Sequence, residues 1–123
     1  MKNDKEKFKK EFTNRLIQFS LEIISLCKKL KDDKVFYSII DQLIRSSTSI
    51  GANVIEAQAA SSKNDYIKFF QIALKSSNET TYWLLLVRES EKRHSETCDK
   101  LLNELKEISC ILESSLLTLK RKK

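Results

Sequence analysis

The sequence predicts an all-α protein, an antiparallel up-down four-helix bundle. Its 123 residues hold no proline and one glycine, which removes the usual punctuation of strands and hairpins. Apolar residues recur at spacings of three and four through long stretches, and short polar segments separate those stretches. A chain that is 41% hydrophobic and 33% charged at this length fits one domain with a genuine core. The expected domain is 1–123, with helices over about residues 4–30, 34–60, 63–90 and 96–120.

The first helix carries Phe8, Phe12, Leu16, Phe19, Ile23, Leu26 and Leu30 on one face, so aromatic side chains make it a heavy contributor to the core. After a polar turn, Asp32 or Asp33 is expected to cap the second helix.

The second helix contains the stretch that organises the chain, residues 41–60. Ile39, Leu43, Ile50, Val54 and Ala57 fall on one side and predict burial. Arg45, Ser49, Asn53 and Glu56 form a polar row on the opposite side. Ser46, Ser47 and Gly51 lie between. A glycine within a helix costs about 1 kcal/mol relative to alanine, so Gly51 predicts an unusually close approach of another helix. With Ser47 it makes a small-xxx-small pair.

Ser61 or Ser62 is suited to cap the third helix, with Asp65 in its favourable first turn. This helix differs from its neighbours. Tyr66, Phe70, Ala73, Ser77 and Leu84 make one stripe, Ile67, Leu74 and Leu85 lie on a second side, and Ile72, Trp83 and Leu86 on a third. A single bundle core covers one side of each helix, so the remaining sides predict contact with another copy of the chain. The expected packing residues between copies are Ser47, Gly51, Ile72, Trp83 and Leu86. The fourth helix presents Cys98, Leu101, Leu105, Ile108, Leu112, Leu116 and Leu119 at regular spacing.

The net charge of +6 is confined to the two ends of the chain. Residues 1–11 hold five lysines against three acids, the last four residues are Lys120, Arg121, Lys122 and Lys123, and the remainder is balanced. Basic residues at a helix C-terminus complement its dipole, which explains the tail by capping and solubility alone. Read functionally, the tail binds a phosphate backbone.

Little in the sequence supports catalysis. There is no phosphate-binding glycine loop, no HExxH and no pair of cysteines at zinc spacing, so no cofactor, metal or catalytic residue is assigned, and no enzyme is expected. Arg88 and His94 resemble the arginine and histidine of HEPN-type ribonucleases, against the plainer reading of His94 as a solvated loop residue. Lys75 and Glu79 stand four apart in the weaker order for an intrahelical pair, which directs each to a partner elsewhere. With Arg45, Ser49, Asn53 and Glu56 they read as a polar network fixing register or as a binding surface. Trp83 and Tyr82 could stack on bases, but an apolar helix favours packing. Cys27, Cys98 and Cys110 fall on or beside apolar faces, as reduced, buried thiols do. No apolar run is long enough to cross a membrane and no apolar signal core follows Met1, so a cytoplasmic protein without membrane contact is expected.

Residues 45–86 carry a family resemblance. Arg45 and Ser46, Ser49 and Ile50, Gly51, Ala52 and Asn53, Glu56 through Gln58 to Ala60, Asp65 and Tyr66, Ile72 and Ala73, then Glu79 with Tyr82, Trp83 and Leu84 occur in the order of the "four helix bundle protein" family. That family includes proteins encoded within intervening sequences of bacterial 23S ribosomal RNA genes, and is structurally similar to the accessory variability determinant of diversity-generating retroelements. The resemblance implies an antiparallel bundle, a homopentameric ring, and RNA or DNA and a reverse transcriptase as partners. Residues and resemblance together predict a non-enzymatic oligomeric scaffold whose basic ends engage nucleic acid. The alternatives are a purely structural or protein-binding oligomer and a ribonuclease using Arg88 and His94.

Overall fold

The computed structural model describes residues 2–121. Four helices follow one another: α1 (Lys2–Asp32), α2 (Tyr37–Gln58), α3 (Lys63–Ser90) and α4 (Ser95–Arg121), with one 3-10 turn, Lys92–His94, before the last. Each packs against its neighbour in the chain, and α4 closes the bundle against α1. Side-chain bonds show the antiparallel register. Ser49 meets Ser76 and Ser46 meets Thr80, so one index falls as the other rises between α2 and α3. Ser77 with Ser109 and Arg88 with Asp99 give the same sense between α3 and α4.

Every apolar position expected to line α1 is buried except Phe8, which is 52% exposed. The α4 series is buried from Cys98 to Leu116, and Leu119 is half-buried. In α2 the core side is Ile40, Leu43, Ile50, Val54 and Ala57, with Ile39 packed at its margin.

Two helix starts differ in kind. Ser62 caps α3 as expected, its hydroxyl accepting from the Asp65 N–H at 3.1 Å. The expected cap of α2 by Asp32 or Asp33 is not formed. The chain turns at Lys34, whose φ is +61°, and α2 begins beyond Phe36 without a side-chain cap. Asp32 is still in α1, and the Asp33 carboxylate is engaged by Arg93 and His94.

The contact between α2 and α3 is the most extensive in the bundle, and small hydroxyl residues make it possible. Ser46, Ser47, Ser77 and Thr80 are all buried. Thr80 Oγ1 lies 3.0 Å from Ser46 Oγ and 2.8 Å from the Ser76 carbonyl, Ser76 Oγ donates to Ser49 Oγ at 2.9 Å, and Ser77 and Ser109 share a hydrogen bond between α3 and α4. A buried hydroxyl without a partner costs free energy. Among the described residues no buried side-chain polar atom lacks one.

Gly51 corrects an expectation. A Cβ at this position would stand 3.5 Å from Leu16 Cβ, an ordinary van der Waals distance, so no exceptionally close backbone requires the glycine. Ser47 is placed inside the bundle. It is fully buried with its hydroxyl donating to the Ile44 carbonyl at 3.2 Å, so it packs within the chain.

Candidate functional site

An even number of antiparallel helices returns the C-terminus to the end where the N-terminus began. The consequence is electrostatic, because the two charged segments of the sequence become one end of the molecule. Lys5 and Lys9 at the start of α1, Lys63 at the start of α3, and Lys120 and Arg121 at the end of α4 are all exposed there. Acids share this end: Asp4, which also lines the cavity described next, Glu6 on α1, Glu56 in the last turn of α2 and Asp65 on α3, which accepts from Ser61 Oγ at 3.4 Å. Lys122 and Lys123 lie outside the described residues.

The bundle core is open at this end. Phe8, Phe12, Val54, Gln58, Tyr66 and Phe70 wall a cavity of about 310 Å³, with Lys5 and Lys9 beside it. Tyr66 also borders two further concavities that reach Lys63, Leu119 and Thr118. Burial raises the pKa of the Tyr66 phenol, which is a neutral hydrogen-bond donor at physiological pH with or without that shift. Sequence reasoning missed this cavity. The available signal was Phe8, one turn before the buried part of its stripe and in a segment dense in lysine.

The polar row of α2 separates into two parts. Asn53 Nδ2 donates to the Ser49 carbonyl at 2.8 Å and to Ser49 Oγ at 3.0 Å, and Ser49 joins the α2–α3 seam through Ser76. Arg45 and Glu56 fall further round the helix and are exposed, as is Lys75 on α3. None of these three takes part in a side-chain hydrogen bond or ion pair found among the described residues, so within one chain they are not joined to Glu79. Glu79 instead accepts from Trp83 Nε1 at 3.1 Å. The polar contacts between α2 and α3 use short hydroxyls because a long charged side chain does not fit where these two backbones approach.

Apolar surface remains on two separate sides. On α3, Tyr82 is 56% exposed, Ile72 and Leu85 are each 36% exposed, and Trp83 and Leu86 are half-buried. Between α1 and α2, a shallow groove formed by Leu16, Ile17, Gly51, Ala52 and Ile55 is flanked by exposed Leu21.

Arg88 and His94 are each committed to carboxylates. Arg88 Nε donates to Glu89 at 2.9 Å and its Nη1 to Asp99 at 3.3 Å, which holds the guanidinium pKa above its ordinary value and the Glu89 carboxyl below its own. The His94 side chain is 11% exposed with Nε2 2.6 Å from Asp33 Oδ2, so it is not a solvated loop residue. It ties the α3–α4 connection to the α1–α2 connection. The two residues share no partner.

A second clamp, which the sequence did not reveal, closes α1 on α4. Arg15 makes a bidentate pair with Glu104 at 2.5 and 2.8 Å and reaches Glu107 at 2.8 Å. Cys27 and Cys98 are buried, and burial pushes both thiols up to about 11. Cys110 is exposed, against expectation, because its position on α4 faces away from the core. Among the described residues no group of three His, Cys, Asp or Glu side chains could hold a metal ion, and no helix is long and apolar enough to cross a membrane.

These features define a small all-helical bundle held by hydroxyl seams, with a charged, partly open end. The chain belongs to the 23S rRNA-intervening sequence protein family, whose model matches residues 9–114. It is similar to a solved structure of a protein with unknown function from the S23 ribosomal protein family of Bacteroides thetaiotaomicron. That likeness has 36% identity and a TM-score of 0.81, covering 85% of this chain and 97% of the other. No curated protein matches the chain.

Proposed function

We propose that this protein is a non-enzymatic, self-associating scaffold that presents its basic end to RNA or DNA. The observation that carries this reading is the gathering of Lys5, Lys9, Lys63, Lys120 and Arg121 at one end of the bundle. Clustered cations bind a phosphate backbone by releasing its counterions, and several copies held together multiply the effect. The two apolar strips, one on α3 and one between α1 and α2, support assembly. They are different surfaces, as a head-to-tail contact that closes into a ring requires, and a pentamer is the ring that the family resemblance implies. The family's name connects such chains with an intervening sequence of 23S rRNA, which makes RNA the first ligand to test. A reverse transcriptase is the further partner implied by likeness to retroelement accessory proteins.

The test is binding of labelled RNA across a salt series, for the intact chain and for a chain ending at residue 119. The reading expects affinity that falls steeply with salt and a shallower dependence after truncation. Unchanged affinity and slope in the shortened chain would contradict it.

A further inference from the structure

The aromatic side chains at the basic end are arranged in two stacks around one opening. Phe8 stacks on Phe12 with ring centroids 6.1 Å apart and an interplanar angle of 23°. Tyr66 stacks on Phe70 at 4.9 Å and 18°. One pair comes from α1 and the other from its diagonal partner α3, and both wall the same cavity of about 310 Å³. That volume reaches the lower range of ligand pockets, roughly 300 Å³. A pocket closed by ordinary core packing would bury Phe8, yet half of this side chain is in solvent.

We propose that this cavity receives one unpaired base of a single-stranded nucleic acid, stacked against the aromatic walls, while Lys5, Lys9 and Lys63 hold the flanking phosphates. The inference rests on the reading of the basic end as a nucleic-acid interface and names the form of ligand it takes. Charge complementarity and shape select the occupant. A duplex keeps its bases stacked and hidden, so it meets the lysines and leaves the cavity empty. A strand with unpaired bases offers a flat face for stacking and an anion on either side of it. Gln58 in the wall, whose Nε2 already donates to Thr13 Oγ1 at 3.1 Å, offers its Oε1 to the base edge, and the Tyr66 hydroxyl, which makes no hydrogen bond found among the described residues, supplies a second polar group. Every base has a π face, so recognition by stacking is tolerant of sequence.

The experiment uses the full chain and short oligonucleotides of RNA and of DNA, single-stranded or duplex, with 2-aminopurine at a central position. Quenching of the probe on binding, with tighter binding of the single strand than of the duplex, is expected, and the RNA and DNA arms show which sugar is accepted. Phe8→Leu keeps an apolar side chain at a half-exposed site and removes the π face. It is expected to abolish quenching and weaken single-strand binding by roughly tenfold, with duplex binding unchanged, and Phe8→Tyr is expected to restore both. Tyr66→Leu, checked for helix content, gives the same loss from the opposite wall. Equal binding of single strands and duplexes, unaffected by either leucine variant, would overturn the cavity as a base site and leave the basic-end reading intact. Failure of every nucleic acid to bind at low salt would overturn both.

Discussion

Ser76 Oγ donates to Ser49 Oγ at 2.9 Å across the widest interface of the bundle, and together with Thr80 and Ser46 it sets how α3 lies on α2. Thr80→Val preserves shape and removes a hydroxyl that lies within reach of two acceptors. The expected cost is about 1–2 kcal/mol. Urea denaturation of the two proteins measures it, and an unchanged midpoint would mean the seam contributes packing alone.

The Asp33 and His94 clasp predicts an acid-side dependence of stability. Hydrogen bonding to His94 and the charges of Arg93 and His94 hold the Asp33 carboxyl below its usual range. A carboxyl depressed in the folded state contributes stability that is present above the unfolded pKa of about 3.9. That contribution is lost as pH falls through the lower folded value. Asp33→Asn is therefore expected to lie below the wild type in stability at neutral pH and to converge with it in strong acid. Denaturation midpoints across pH show whether the curves meet; a constant gap would reject the clasp as their cause.

Gly51→Ala is expected to stabilise the individual chain, because alanine is the better helix former by about 1 kcal/mol and the new Cβ meets Leu16 at an ordinary 3.5 Å. Thermal unfolding of the variant reads the sign directly. A lower melting temperature would mean that the α1–α2 contact is tighter than its geometry shows.

Thiol reactivity should divide the cysteines. Burial holds Cys27 and Cys98 protonated at neutral pH, with values near 11, whereas Cys110 is open to solvent. Brief alkylation of the native chain is expected to modify Cys110 alone, and alkylation in denaturant all three cysteines. Peptide mass mapping distinguishes the sites.

The helical stripes were legible because burial follows a local period. Leu16, Phe19, Ile23 and the series from Cys98 to Leu116 could be read from spacing alone. The seam was not, since serine and threonine carry no periodic apolar signal, and Ser76, Thr80 and Ser109 acquire their partners only when helices pair. Arg15 was missed for the same reason, its carboxylates lying 89 and 92 residues away. The α2 start was misread because Asp33 had a more favourable partner in the distant His94. The charged end was half legible. The two basic segments were plain in the sequence, and their meeting at the mouth of an aromatic cavity followed from topology.

Self-association is the proposal on which the scaffold reading depends, and its support is the exposed apolar side chains, such as Tyr82, Ile72 and Leu85 on α3 and Ile17, Leu21 and Ile55 across the bundle. Sedimentation equilibrium of the purified protein tests it most directly. The account predicts the mass of several chains, five by family resemblance, and reversion toward one chain in Ile72→Glu. The mass of a single chain in the unaltered protein at working concentrations would contradict it.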